Sequence, residues 1–200
     1  LVPDIYISAD IEADGPIPGE FSMLAFGLAV AATFDGEAFT SHAPGEQTLY
    51  RELKPIAARF EPAALKAARL DRAALARDGA EPEAAMRDAV DWVTAQAERA
   101  EGARPVLVGY PVVFDWMFLH WYFVRFVGES PFGFSGALDI KTMYHQKARV
   151  IMDDAGRNDL PAELQASHPH THNALDDAIE QAEIFNRLWQ WRPGGDQRSS

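Results

Sequence analysis

Ile5, Ile7 and Ala9 alternate with more polar neighbours between Asp4 and Ala9, and this two-residue period predicts a strand. Met23 to Ala32 is an unbroken apolar run, and Glu37 to His42 and Gln47 to Leu53 follow after turns. The first 60 residues therefore predict one strand and then a meander. Between the first two strands, Asp14 to Gly19 holds two Gly and two Pro and predicts a loop. From Pro62 to Ala100 the chain turns rich in Ala, Arg and Glu, with Pro62 and Pro82 placed as first-turn residues and Gly79 as a break. Two or three helices fit there, and Met86, Ala89, Val90 and Val93 carry the helical spacing of a core stripe.

Further along, Pro105 to Tyr110 predicts a short buried strand and a helix from about Phe114, and Ala137 to Ile140 another strand before a helix over Lys141 to Val150. Met152 to Pro169 is polar and irregular, and the last helix is expected from Ala174 to Trp191. Strands alternating with helices after an initial meander predict an α/β sheet of mixed direction. Nothing repeats, so residues 1–192 are read as one domain, and the Gly-rich polar tail 193–200 as disordered.

Composition narrows the possibilities. With 200 residues, 48% of them hydrophobic, the chain can bury one sizeable core. Cysteine is absent, which excludes disulfides, zinc-thiolate sites and cysteine nucleophiles. No apolar run approaches the roughly 20 residues of a membrane span, and no signal-peptide pattern opens the sequence, so a soluble, cytoplasmic protein without membrane attachment is expected. Phe114 to Val127 is broken by Asp115, His120 and Arg125 and reads as a buried helix. The net charge of −12 argues against a broad basic surface coating nucleic acid. Any polyanion has to be handled locally, where bound divalent cations can reverse the sign of the field.

The acidic residues carry the candidate chemistry. Asp10 and Glu12 end the first strand two residues apart, so their side chains leave the same face, and hard carboxylates there suit Mg²⁺ or Mn²⁺. Asp115 opens the aromatic helix among Phe114, Trp116 and Phe118; it serves either the helix dipole or a cation, since an unpartnered charge there would cost several kcal/mol. In the last helix, Asp176 shares a row with Glu180, Glu183 and Arg187, read as a solvated face. Asp177 shares one with Ile184 and Leu188 and is chosen as the functional carboxylate. His172 stands five residues before Asp177, about 140° away on a continuous helix, so it reaches the same place only from the preceding loop.

These segments, DIEADG, VVFDWMF and HNALDDA, resemble the three ordered motifs of the DEDDh 3′-5′ exonucleases, the superfamily of RNase T, oligoribonuclease and proofreading exonucleases. The resemblance spans about Asp4 to Arg192 and implies an RNase H-like fold, a mixed five-stranded sheet flanked by helices. It assigns Asp10, Glu12, Asp115 and Asp177 to two divalent cations, Mg²⁺ or Mn²⁺, and His172 to the attacking water. It also implies that the Ala13 backbone meets the terminal 3′ hydroxyl, and Met23 or Phe114 is expected to stack on a base. Two features depart from the family: Pro111 stands where many relatives carry Asn, and DGPIPGEFSM replaces a Thr-Thr-Gly turn. Asp139 is read as supporting the site or as a strand-end carboxylate paired with Lys141.

The expected activity is removal of nucleoside 5′-monophosphates from the 3′ end of RNA or single-stranded DNA, with RNA favoured. A catalytically silent nucleic-acid-binding module and a metal-dependent phosphatase are the alternatives. The aromatic segments Trp116 to Phe126 and Trp189 to Trp191 leave room for a homodimer surface.

Overall fold

The computed structural model describes residues 1–193; all but the first residue of the expected tail lies outside the described residues. Strands β1 (Asp4–Ala13), β2 (Met23–Phe34), β3 (Phe39–Ser41) and β4 (Thr48–Glu52) form the meander. Three helices follow, α1 (Pro62–Ala68), α2 (Arg72–Asp78) and α3 (Pro82–Arg99). The rest alternates: β5 (Arg104–Gly109), α4 (Val112–Phe126), β6 (Ala137–Asp139), α5 (Ile140–Ala148) and α6 (Ala174–Gln190).

The sheet is five positions wide, in the order β3-β2-β1-β5-β6, with β4 sharing the outer side of β2. β4 covers Ala25 to Ala29 and β3 covers Ala32 to Phe34. The β1–β2 pair is antiparallel, whereas β1–β5 and β5–β6 are parallel, so the sheet is mixed and RNase H-like, as the resemblance implied. Two bulges on β2 leave its Leu24 and Ala31 unmatched on β1. Their carbonyls are taken by Leu53 N, and by His42 N and Asn186 Nδ2, so the bulges cost no unpaired acceptor.

Side-chain alternation on β1 sorts the two faces. Ile5, Ile7, Ala9 and Ile11 join Ala85, Met86, Ala89 and Val93 of α3 and Phe118, Leu119 and Tyr122 of α4 in one apolar cluster. Tyr6 faces the other way, with Phe185 and Leu188 of α6 and Ile140 and Tyr144 of α5. Asp10 and Glu12 have the parity of Tyr6 and so belong to the α6 face. Trp189 is spent on the interior, stacked on Phe39 at 4.6 Å and 12° and tilted against Tyr6.

The segment from Met152 to Pro169 is irregular, as expected, yet it is packed: Ala155, Leu160 and Leu164 are buried in the α6-side cluster. Helix α4 starts two residues earlier than its sequence suggests. Val112 N donates to Asp139 Oδ1 (2.9 Å), and Thr142 N donates to Asp139 Oδ2, so one carboxylate caps α4 and α5 together. Asp139 is thus structural, bonded to amides rather than to Lys141. The loop after β1 is closed by Asp14, which is fully buried and accepts from Ser22 N (2.5 Å) and Arg72 Nε (2.8 Å).

Helix α6 lies on β2 through Gly27. A Cβ at that position would sit 2.3 Å from the Ala174 carbonyl oxygen and 2.5 Å from Leu175 Cα, both backbone atoms of the helix start. Gly27→Ala is expected to lower the unfolding free energy by about 1–3 kcal/mol through this overpacking. Gly45→Ala, where nothing among the described residues lies within 4 Å of the added Cβ, is expected to stay within about 0.5 kcal/mol. Urea unfolding of the two variants decides between them, and equal midpoints would show that α6 is not held at this spacing.

Candidate active site

The site begins where β1 outruns its neighbour. Pairing with β5 ends at Ser8–Val108, but β1 continues to Ala13. Arg104 N donates to Pro3 O, so the odd residues of β1 turn their backbone toward β5, and Ile11 N reaches that side with no strand to meet. Asp115 Oδ1 accepts it at 3.1 Å. A buried N–H left unpaired would cost about 1–3 kcal/mol, so this bond satisfies the strand. It also pins Asp115, on the first turn of α4, to the residue between Asp10 and Glu12.

The third carboxylate arrives on α6. Asn173 caps that helix, its side chain accepting from Leu175 N (3.0 Å) and Asp176 N. Asp177 is then turned inward, only 1% exposed, and its Oδ1 accepts from Thr171 N at 2.9 Å. One oxygen each of Asp10, Glu12 and Asp177 lie within 4.8 Å of one another. Gln181, one helical turn beyond Asp177, donates Nε2 to Asp10 Oδ1 at 2.7 Å.

Burial first, and crowding after it, raise the proton affinity of this group. Burial, then the charges of Asp115, Asp177 and Glu12, push Asp10 well above the usual carboxyl range. Burial followed by Asp177 and Asp115 lifts Glu12 to about 8. Asp115 is lifted to about 7 by burial, partly offset by the Ile11 amide and by Arg157. Oxygen donors that converge from three elements and repel one another fit a hard divalent cation. Asp10, Glu12 and Asp177 could hold it directly, with Asp115 alongside.

His172 sits in the loop before the helix with φ of +59°, a left-handed conformation that turns the chain just ahead of the Asn173 cap. Its ring nitrogen, one of His170 and an Asp177 oxygen lie within 4.8 Å of one another. The two imidazoles meet edge to face, centroids 4.6 Å apart. The structure therefore brings Asp10, Glu12, Asp115, Asp177 and His172 to one place.

Sequence reasoning missed the support around them. His170 Nδ1 lies 2.9 Å from Asp177 Oδ1 and 3.1 Å from Glu180 Oε2, and Arg157 contacts both His170 and Glu180, the latter at 2.9 Å. Glu180, expected on a solvated face, is only 7% exposed. The histidine run HPHTH was the available signal for His170, but no local period ties it to Arg157. Of the substrate candidates, Met23 is fully buried in the core and offers no face to a base; its amide is bonded to Tyr122 Oη. Ala13 is buried at the end of β1, and Phe114 is 39% exposed on the first turn of α4.

A mixed sheet of this order, with carboxylates delivered by β1, α4 and α6 and a histidine just before α6, is the arrangement that the resemblance to the DEDDh 3′-5′ exonucleases implied. Solved structures share the fold. The 3′-exonuclease that recognises the histone mRNA stem-loop 3′ end superposes with TM-score 0.69 at 13% identity, over 94% of this chain and 64% of that one. The nuclease domain of 3′hExo bound to rAMP gives 0.66 at 14%, over 94% and 92%. Escherichia coli exonuclease I with a dA16 oligonucleotide gives 0.65 at 13%, over 95% and 41%. In sequence, residues 66–189 match the 3′-5′ exoribonuclease Rv2179c-like domain. The 3′-5′ DNA exonuclease Cap18 of Escherichia coli is 35% identical over 186 residues, 92% of this chain and 91% of Cap18. The chain belongs to the Rv2179c-like family of 3′-5′ exonucleases. Among the described residues, no helix is long and apolar enough to cross a membrane.

The raised carboxyls set a pH dependence. A carboxyl whose folded pKa exceeds its unfolded value stabilises the fold while protonated, and that contribution is lost as pH rises through the folded pKa. For Glu12 the loss runs from 4.5 to about 8. Across this window the cation-free protein should lose thermal stability, and millimolar Mn²⁺ or Mg²⁺ should restore it most at the alkaline end. A cation-free melting temperature that stays level over the window would remove the crowding from the account.

Proposed function

We propose that this exonuclease removes nucleoside 5′-monophosphates one at a time from single-stranded 3′ ends of RNA and DNA alike. Asp10, Glu12, Asp115 and Asp177 would hold two divalent cations, Mg²⁺ or Mn²⁺. The convergence of Asp10, Glu12 and Asp177 oxygens within 4.8 Å, with the His172 ring beside Asp177, carries the reading.

When bound, the cations supply Lewis acidity, neutralising phosphate charge and lowering the pKa of coordinated water. His172 takes the proton of the attacking water, a role suited to an imidazole whose ordinary pKa lies near working pH. Water adds to phosphorus, the bond to the 3′ oxygen of the remaining strand breaks, and that oxygen gains a proton. Asp115 is kept in place by Ile11 N, and Asp10 by Gln181. The Ala13 backbone meets the terminal 3′ hydroxyl, and Phe114, with part of its ring exposed, stacks on a base.

The two names among the sequence relatives point to different sugars, exoribonuclease for the family and DNA exonuclease for Cap18. The groups assembled here are carboxylates, imidazoles and a guanidinium, which address phosphate and water. That chemistry is common to both polymers and supports acceptance of either.

His172→Ala should cut kcat by roughly 10²- to 10⁴-fold while the circular dichroism spectrum stays that of the parent. Full activity in that variant would remove His172 from the mechanism. Asp10→Ala and Asp177→Ala should be inactive with either cation, and chelation should silence the parent. In side-by-side digestion of matched strands, single-stranded RNA and DNA should be shortened at rates within about tenfold of each other, both faster than duplexes. Loss of only one sugar type would replace this reading with a sugar-specific one.

A further inference from the structure

Beside the carboxylates opens a cleft of about 340 Å³ whose walls include Tyr110, Pro111, Lys141, Arg157, Asn158 and His170. It adjoins the reaction centre through His170, which touches Asp177. Among the described residues no carboxylate lines it, although the chain carries 30 acidic residues against 18 Lys and Arg. Glu180 balances Arg157 at 2.9 Å, which leaves Lys141 as the cation of this cleft without an ion-pair partner among the described residues, and a cation so placed suits an anion.

The cleft is built. Arg157 lies in the 3-10 turn Arg157–Asp159, and Asp159 Oδ2 accepts from Gly156 N. Its guanidinium is anchored by Glu180 at 2.9 Å and by the Tyr110 carbonyl at 3.5 Å, with the ring of Tyr110 beneath it. It is therefore set before any ligand arrives. Its charge reaches the centre, lowering the proton affinity of both Asp10 and Asp115. Lys141, half-buried on the first turn of α5, enters no ion pair among the described residues. The neighbour expected to neutralise it, Asp139, is committed to the amides of Val112 and Thr142. A guanidinium held in place and a lysine without an ion-pair partner among the described residues line the same cleft, which is donor chemistry for phosphate oxygens.

The sheet order separates the cleft from the end of β1. The end of β1 at Ala13 lies on the β2 side of the centre, whereas the cleft lies over the ends of β5 and β6. With the terminal nucleoside against Ala13, as proposed above, a strand that passes over the carboxylates toward β5 brings its next phosphate to this cleft. Resting on the exonuclease reading above, we infer that the Lys141–Arg157 cleft binds the backbone phosphodiester on the 5′ side of the scissile bond, gripping the strand that remains after each cleavage.

The test uses the full chain with Mn²⁺ and two substrates: a ten-nucleotide single strand, and the p-nitrophenyl ester of thymidine 5′-monophosphate, which has no phosphate beyond the reacting one. Lys141→Ala should raise KM for the strand about tenfold, with a penalty on the ester several-fold smaller, and Lys141→Arg should recover most of the loss. In parallel, fluorescence anisotropy of a 5′-labelled decamer in Ca²⁺ should show weaker binding, and the slope of log affinity against log salt should shrink by about 0.7. Equal penalties on strand and ester would place the cleft at the reacting nucleotide and overturn the inference, as would unchanged binding and salt slope. If the parent cleaves neither substrate, the exonuclease reading fails by itself, and the anisotropy arm still decides whether the cleft holds a strand.

Discussion

How near a helix can come to a sheet fixes the chemistry of this protein. Asp10 faces α6 from the centre of the sheet, and Gly27 lies opposite it on β2. Because Gly27 has no side chain, the start of α6 rests against strand backbone, and Asp177 arrives at the depth of Asp10 and Glu12. A side chain on β2 at this point would stand between the helix and the strand, and the oxygens would no longer share one small volume.

That closeness creates a tension which the surroundings contain. Carboxylates pressed together out of water resist ionisation, and the fold answers with directed partners: an amide from Ile11, the amide of Gln181, the amide of Thr171 and the more distant charge of Arg157. These partners offset the repulsion only in part, which leaves the carboxylates a group that a cation would relieve. Positioning on β1 and on two helix starts, rather than on long loops, suits a site that has to keep its geometry through repeated cleavage.

Much of this was legible in the chain itself. The alternation of Ile5, Ile7 and Ala9 placed Asp10 and Glu12 at a strand end, and the row through Ile184 and Leu188 chose Asp177 over Asp176, which is half-buried and bonded to Thr171. What escaped depended on segments far apart in sequence. Glu180 has the helical phase of a surface residue, but the segment carrying Arg157 folds over that face. Met23 opens an apolar strand, and whether such a residue meets solvent or core is decided by Tyr122 and α4, about a hundred residues on. The start of α4 at Val112 depends on Asp139, 27 residues later, so local capping signals could not fix it.

Asp139 joins the first turn of α4 to the first turn of α5 with a single carboxylate. The connection between those helices, from Gly128 to Gly136, is mostly surface chain of the sort that tolerates insertion and deletion. Length changes there leave the active centre untouched only while β6 stays in register, with Asp139 level with Gly109. A slip of one residue would turn that carboxylate to the opposite side of the sheet and release both helix starts together, so a change of length before β6 disturbs the fold far less than the same change within the three residues of β6.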